Sequence, residues 1–189
     1  MKKLLLLAAL FVAVVSAHAV SLILPSGQTV EFTLPERWTI GAVPPLPPGT
    51  PAPGKTVSYV PTNKANSAVV LTFITAKDDS LAEAEALKTM HESANDHYVA
   101  GSVEGQLVSN ELKLAAGRGY FSPFTDNALV DQPVQKGSFK TITVATIYLG
   151  NRVIVTASVF SDDQAGPEHR QGMKLLESLH LRSKPPARI

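Results

Sequence analysis

Residues 67–83 carry the sequence SAVVLTFITAKDDSLAE. Its first ten residues are mostly β-branched or apolar at both odd and even positions, which is typical of a strand buried from two sides. Lys77-Asp78-Asp79 ends this strand. Ser80-Leu-Ala-Glu83 then has the form of a capping box, the signature of a helix N-terminus. The stretch therefore predicts a central β-strand that leads directly into an amphipathic α-helix.

The predicted helix continues to Gly101, because glycine is common where helices end. Its apolar residues recur at spacings of three and four, which places them on one helical face. These residues are Leu81, Ala84, Leu87, Met90, Ala94 and Tyr98. A second helix is predicted from Pro167, since proline suits the first helical position. It runs through Leu179 and leads into a short ending at His180-Leu181.

Strand patterns surround the two helices. Three pairs of them predict hairpins, and the clearest is the pair joined at Gly150-Asn151, because such dipeptides favour tight hairpin turns. The order of elements predicts an α+β fold with an antiparallel β-sheet flanked by helices, an α/β/α sandwich. A further strand begins at Gly117 and passes into a loop that runs through Gly137. The other predicted strands outside the central one are 21–24, 29–34, 55–61, 103–108, 111–115, 139–149 and 153–160.

The N-terminus has the three parts of a secretory signal peptide. Lys2 and Lys3 precede an uncharged apolar run that ends before Ser16-Ala-His-Ala19. The run is shorter than the roughly 20 apolar residues that a membrane-spanning helix needs. We therefore predict that residues 1–19 are cleaved and that the protein is periplasmic or secreted, with no membrane span after cleavage.

What remains is predicted to be one domain over residues 20–181, followed by a flexible tail over residues 182–189. The sequence has no cysteine, so neither a disulfide nor a thiolate metal site is available, and burial must stabilise the domain. Removal of Lys2 and Lys3 leaves 15 basic residues against 16 acidic ones. Without a concentrated basic surface, the sequence argues against a nucleic-acid partner.

Two segments each have two interpretations. Residues 44–53 contain six prolines, which predicts an extended surface segment; it is either a docking motif or a stiff loop between strands. Trp38 follows the early hairpin, and its large side chain is either a ligand platform or a plug at the edge of the core.

Motifs for catalysis and metal binding are weak. His91-Glu92-Ser-Ala-Asn95 has asparagine where the His-Glu-x-x-His zinc motif has its second histidine, so a solvated helix face is the preferred interpretation of these residues. The acidic pairs Asp78-Asp79 and Asp162-Asp163 stand before the two helices, where carboxylates cap helices; a calcium site is the alternative if folding brings them together. No cofactor and no catalytic residue are predicted.

The segment 118–126 is the best candidate for partner binding. It places aromatic residues beside polar ones in what the sequence predicts to be a loop, and exposed aromatic residues in loops often form recognition surfaces. The alternative is that these rings pack over a sheet edge. The predicted partner-binding residues are Arg118, Tyr120, Phe121, Phe124 and Asp126.

The order of these elements resembles the Mog1/PsbP-like fold. The matching features include Pro35-Glu-Arg-Trp38 after an early strand, the strand 68–76 that runs into a helix, and the hairpin 139–160. Gly117-Arg-Gly-Tyr-Phe and the closing Leu175-Leu-Glu-Ser-Leu179 also match. The resemblance implies an antiparallel sheet between helices, and a binding or assembly role with no shared catalytic residues.

Three functional hypotheses follow. The first is a non-catalytic periplasmic binding or assembly protein that contacts an envelope protein. The second is a module that binds a small ligand or a divalent cation. The third is a hydrolase, which the absence of a recognisable nucleophile motif disfavours.

Overall fold

The computed structural model describes residues 18–43 and 54–182. The predicted proline segment at 44–53, residues 1–17 of the predicted signal peptide and residues 183–189 of the predicted tail lie outside the described residues. The strands are β1 His18–Ile23, β2 Thr29–Leu34, β3 Trp38–Ile40, β4 Lys55–Pro61, β5 Ser67–Thr75, β6 Asn110–Leu112, β7 Arg118–Thr125, β8 Thr141–Gly150, β9 Val153–Ser161 and β10 His180–Leu181. The helices are α1 Ala84–Asn95 and α2 Pro167–Glu177.

Seven strands form one antiparallel sheet in the order β3-β4-β5-β9-β8-β7-β6. The other three form a small antiparallel sheet in the order β1-β2-β10. The predicted α+β class with an antiparallel sheet flanked by helices is confirmed. The sequence did not indicate that the early hairpin belongs to a second sheet, because each hairpin carries the same alternating pattern.

The two helices lie on opposite faces of the large sheet. Leu175 and Leu176 of α2 are buried against the face that also carries Val69 and Val159, and the small sheet packs against the same core. Leu87 of α1 is buried against the other face, among side chains of β8 and β9. Neighbouring strand residues point to opposite faces, and this alternation separates the two helices.

The hairpin β8–β9 is confirmed, with its turn one residue later than the sequence predicted. Asn151 and Arg152 have φ values of 49° and 64°. Two successive positive φ values define the type I′ turn, whose twist matches that of the flanking strands. Pro167 at the start of α2 is confirmed as well, and the short ending predicted at His180-Leu181 is strand β10.

The predicted hairpin between 103–108 and 111–115 is wrong. Gly105 turns the chain with a φ of 61°, and Val103 and Val108 remain 58% and 50% exposed. Since neither valine packs on a neighbour strand, their alternation does not produce a ladder. Only β6 forms there, at the edge of the large sheet.

The predicted capping box is also wrong, because Ser80 does not begin the α-helix. Asp78 accepts a hydrogen bond from the Ser80 backbone N–H at 2.9 Å, and residues Ser80–Ala82 form a 3₁₀ turn. Glu83 occupies the N-cap of α1 without a side-chain capping bond. A second 3₁₀ segment extends α1 and ends at Gly101, which confirms the predicted stop.

Trp38 is the predicted plug rather than an exposed platform. Its side chain is 7% exposed, and its indole N–H donates a 2.8 Å hydrogen bond to Gln171 Oε1 on α2. The indole therefore joins the edge of the large sheet to the helix that covers it.

Arg182 belongs to the domain rather than to a flexible tail. Its guanidinium donates hydrogen bonds to Glu31 and Ser21 in the small sheet, and its backbone N–H continues the β10–β2 ladder. Arg182 and Ser21 hydrogen-bond with the Glu31 carboxylate and hold its pKa below the usual range. In the described ranges, no helix has the length and apolar character needed to cross a membrane.

Candidate functional site: an aromatic pocket at the end of β7

The predicted strand start near Gly117 is confirmed, but strand β7 continues to Thr125, through residues that the sequence predicted to be a loop. The strand pairs with β8 along its whole length, and this pairing satisfies backbone groups that a loop would have exposed to water. Pro123 did not prevent the strand, although proline is usually restricted to edges and bulges of sheets. The aromatic residues of this segment are thus fixed on a sheet.

The strand separates the five predicted partner-binding residues. Arg118, Tyr120 and Phe124 point to the face covered by α1, whereas Phe121 points to the opposite face because side chains alternate along a strand. Arg118 and Asp126 lie at opposite ends of β7, roughly 27 Å apart at about 3.4 Å per residue. Phe124 is only 2% exposed. The five residues do not form a single surface.

Phe124 and Asp126 do line a pocket of about 430 Å³. Three segments converge on it: the 3₁₀ turn after α1, the end of β7, and the stretch that enters β8. We call it the aromatic pocket. Its lining residues are His97, Tyr98, Gly101, Ser102, Phe124, Thr125, Asp126, Asn127, Phe139, Lys140, Thr141, Ile142 and Phe160.

The sheet register builds the floor of this pocket. Phe124 on β7 pairs with Ile142 on β8, and Ile142 pairs with Phe160 on β9. Cross-strand partners lie side by side on one face, so the three side chains form a continuous apolar row. Two strand pairings, β7–β8 and β8–β9, therefore decide that these residues meet.

Aromatic rings form the walls. The Tyr98 ring stacks on Phe124 with centroids 5.5 Å apart, and the His97 ring lies 4.1 Å from that of Tyr98. On the other side, Phe139 lies 5.1 Å from Phe160. Such offset and tilted pairs stabilise one another beyond the area that they bury, which favours a pocket that exists before a ligand arrives.

Polar groups surround the rim. Asp126 accepts a hydrogen bond from the Ala128 backbone N–H through one carboxylate oxygen, and the Lys140 ammonium donates to the Val130 carbonyl at 3.1 Å. Burial raises the pKa of Tyr98, so its hydroxyl stays protonated. Such a site offers an apolar floor for a flat or branched group and hydrogen-bonding groups at its edge.

A second group of polar residues, the His91 cluster, consists of His91, Asn95, Ser122 and Thr146. The Ser122 hydroxyl donates to the Val108 carbonyl at 2.9 Å, so it accepts from His91 Nε2–H, also at 2.9 Å. His91 Nδ1 then accepts from Thr146 at 3.2 Å and Asn95 at 3.3 Å. All four side chains are buried, and desolvation lowers the pKa of His91 to about 4.

The His91 cluster is structural. Its serine gives its only proton to a backbone carbonyl and is completely buried, so it cannot transfer that proton to the histidine or reach a substrate. The expectation that His91 and Asn95 lie on a solvated helix face is wrong, since both are buried. The histidine ring nitrogens already have polar partners, which leaves neither free for zinc.

The prediction that the acidic pairs cap the two α-helices is wrong, because the N-caps of α1 and α2 are Glu83 and Gly166; the pairs hold the turns before the helices instead. Asp163 accepts a hydrogen bond from the Ala165 backbone N–H at 2.8 Å, just before Gly166 at the N-cap of α2. Asp162 accepts from the Asn66 amide, and Asp79 accepts from the Tyr148 hydroxyl at 2.5 Å. Within residues 18–43 and 54–182, no three His, Cys, Asp or Glu side chains are placed to share a metal ion.

Sequence reasoning missed most of the aromatic pocket. The sequence patterns assign His97 to no site, place Tyr98 in a helical stripe, and place Phe139 and Phe160 at the ends of predicted strands. Their one shared signal was position, since each aromatic residue stands where an element begins or ends. That signal does not reveal which ends meet in space.

No protein-family model matches the sequence, and no curated protein matches it at a significant level. Solved structures do. Cyanobacterial PsbP (CyanoP) from Synechocystis is 12% identical with a TM-score of 0.53, covering 91% of this chain and 96% of that protein. A protein from Bacteroides thetaiotaomicron is 10% identical with a TM-score of 0.52. The match covers 87% of this chain but only 48% of the length of the Bacteroides protein.

The Ran-binding protein Mog1p from Saccharomyces cerevisiae is similar at a lower level. It is 13% identical with a TM-score of 0.46, over 87% of this chain and 96% of Mog1p. At such identities a likeness concerns the fold alone, and the near-complete mutual coverage with cyanobacterial PsbP carries the assignment. The chain therefore has the Mog1/PsbP-like fold that its order of elements predicted.

Proposed function

We propose that this chain is an exported, non-catalytic binding or assembly protein that holds an envelope protein through the aromatic pocket. The observation that supports this proposal is the pocket itself, in which an apolar floor of Phe124, Ile142 and Phe160 is surrounded by further rings and a polar rim. Pockets that accept one anchoring side chain concentrate binding energy in this way. Phe124 and Asp126 of the five predicted residues belong to the proposed site.

The non-catalytic part of the proposal rests on the chemistry of the lining residues. The Ser102 hydroxyl donates to the Val99 carbonyl, and the Thr141 hydroxyl donates to the Ser161 carbonyl. Neither is hydrogen-bonded to a histidine, as an activated nucleophile requires. Binding a group is thus the chemistry that these residues support.

A pull-down from envelope extract tests the proposal. Phe139→Ala removes a half-buried wall of the pocket and leaves Phe124, the buried residue of its floor, in place. We expect recovery of the partner to fall at least about tenfold, as loss of an aromatic anchor contact typically does. Arg118→Ala, at the far end of β7, is the matched control and should recover the partner normally. Unchanged recovery by Phe139→Ala, or no partner for the parent protein, would reject the proposal.

The pocket volume also supports a second candidate, a small-ligand module, since pockets of about 300–1,000 Å³ commonly hold small molecules. A thermal-shift screen with envelope metabolites and divalent cations tests it. A ligand at 100 times its Kd stabilises the folded state by about 2.7 kcal/mol. The Phe139→Ala variant should lose that shift if the ligand occupies the aromatic pocket.

A further inference from the structure

The central strand β5 has two faces of different character. Val69, Leu71 and Phe73 are buried in the core that α2 and the small sheet share, as expected for a covered strand face. Ala68, Val70 and the other residues of the opposite face are only half-buried. The sequence predicted burial on both faces, so the second face is more accessible than its composition suggests.

Strands β4, β5 and β9 carry eleven residues on this second face, of which Ile74 and Ile154 pack with Leu87 of α1. Nine residues remain, three from each strand. We call them the uncharged face. The strand register places them in rows, with Ser58, Val70 and Ser158 in the middle row. Eight are half-buried and Ser58 is buried. The nine residues are Thr56, Ser58, Val60, Ala68, Val70, Thr72, Thr156, Ser158 and Phe160.

Helix α1 does not account for this composition. It packs on β7 and β8 and reaches β9 and β5 at Ile154 and Ile74; among the described residues, none of the nine side chains of the uncharged face belongs to this apolar cluster around Leu87. The water-facing side of an antiparallel sheet usually alternates to polar and charged residues. Neither solubility nor strand formation requires that all nine positions lack a charged side chain, so this composition has another cause.

The uncharged face is continuous with the aromatic pocket. Phe160 belongs to both, since it pairs with Ile142 of the pocket floor on one side and with Ala68 on the other. The row from Phe124 through Ala68 to β4 crosses five neighbouring strands. At about 4.8 Å between strands the row is about 19 Å long, the length of roughly six residues of an extended chain.

We infer that the aromatic pocket and the uncharged face together bind one extended polypeptide segment with uncharged side chains, whose single aromatic side chain fills the pocket. The inference rests on the proposed function and names the kind of partner. Charge complementarity supports it, because a charged segment would lose hydration on this surface without gaining an opposite charge. The surface covers about 300 Å² at standard strand spacings. Each partner of a stable folded pair buries roughly 800 Å², so the surface suits a short segment better than a folded domain.

A display library of ten-residue peptides provides the probe. Each position is restricted to Ala, Gly, Ser, Thr, Val, Leu, Phe or Trp, and a second library adds Lys and Glu. We expect enriched peptides from both libraries to carry Phe or Trp near one end and no charged residue over the next six positions. Failure to enrich any peptide, or enrichment of charged ones, overturns the inference.

Two lysine variants locate the binding surface. Val70→Lys and Ser158→Lys each put a charge in the middle row, and each should weaken binding of an enriched, fluorescently labelled peptide at least about tenfold in fluorescence polarisation. Thr33→Lys, at an exposed position of β2, is the matched control and should bind as the parent protein does. Equal binding by all three variants contradicts the inference.

The same variants exclude other occupants. Because a lysine can extend its ammonium into water, Val70→Lys should shift the Tm of the free protein by less than about 4 °C. A larger loss means that part of this chain already covers the face, and a dimer that Val70→Lys dissociates in sedimentation means that a second copy does. If Phe139→Ala releases the envelope partner but Val70→Lys does not, the proposed function stands and this inference fails.

Discussion

His91 shows how one buried residue can be misjudged from its neighbours. The sequence around it is polar, yet Leu87, His91 and Asn95 stand four residues apart and share the buried face of α1. The polar partners that make burial of the histidine possible come from β7 and β8. Its environment is therefore a product of helix–sheet packing.

Burial of His91 makes stability depend on pH. The unfolded histidine binds a proton near pH 6.5, while the folded one does so only near pH 4. Between these values the unfolded chain binds more protons, so the free energy of unfolding is complete above pH 6.5 and falls as the pH drops towards 4. We expect a loss of up to about 3 kcal/mol from this residue, measured by urea unfolding at several pH values.

A glutamine at position 91 is the control for that titration. His91→Gln keeps hydrogen-bonding groups without a titrating ring, so its unfolding free energy should fall less steeply between pH 6.5 and pH 4. Burial also lowers the pKa of His169, and therefore part of the slope should persist until His169→Gln is added. An identical slope in the parent and His91→Gln proteins would contradict the assignment.

Phe124 and Tyr120 differ in role although they occupy the same face of β7. Phe124 is 2% exposed, and Phe124→Ala should lower the free energy of unfolding by about 3–5 kcal/mol. Tyr120 is half-buried, and Tyr120→Ala should cost clearly less. Denaturant unfolding measures both, and equal losses would contradict the burial difference. Phe124 is thus unsuitable for a binding test, since its removal weakens the fold.

Helix α2 approaches the sheet closely at Gly172. A Cβ there would lie 2.7 Å from Val159 Cγ1 and 3.1 Å from Val69 Cγ2, so the glycine lets the helix axis come near β5 and β9. Alanine is about 1 kcal/mol better than glycine within a helix, whereas overpacking a core costs about 1–3 kcal/mol.

We expect the cost of overpacking to exceed the gain in helix propensity, so that Gly172→Ala lowers the free energy of unfolding by about 1 kcal/mol in urea unfolding. In a chain that already carries Val159→Ala, Gly172→Ala should cost less stability, because the methyl group nearest to the new Cβ is absent. Gly101→Ala is the control, since no atom lies within 4 Å of a Cβ built there. Stabilisation by Gly172→Ala would mean that α2 can move away from the sheet without cost.

The elements that the sequence predicted well are those whose local signals agree. The β8–β9 hairpin has a turn dipeptide and two long β-branched runs, and α2 has Pro167 and a leucine stripe. Segment 103–108 has alternation alone, and Gly105 turns the chain there. Segment 118–126 contains the proline and glycine that are typical of loops. The pairing of its backbone with β8 outweighs this local preference.

At the scale of the whole molecule, the proposed cleavage site after Ala19 lies within strand β1. His18 and Ala19 form the exposed first two positions of this strand and pair with Leu34 and Thr33. Their loss shortens the hairpin only at its open end, and the Thr33 N–H keeps its 2.8 Å bond to the Ser178 hydroxyl. A mature protein that starts at Val20 should therefore retain the fold.

Intact-mass analysis of protein from the envelope fraction tests this proposal. We expect a chain that begins at Val20, with an unfolding free energy within about 1 kcal/mol of a chain that begins at His18, since one strand end is lost. Envelope material that still carries Met1 would contradict cleavage. A large loss of stability on removal of residues 18 and 19 would mean that β1 needs its whole length.

The sequence by itself determined the α+β class, the hairpin β8–β9, both helices and the Mog1/PsbP-like order, because these depend on periodicity and turn residues that act over short distances. Only the tertiary structure decided that 118–125 is a strand, that His91 is buried, and that Phe124, Ile142 and Phe160 lie side by side. Those features depend on register between strands far apart in the chain. A shift of one residue would turn each of these side chains to the other face.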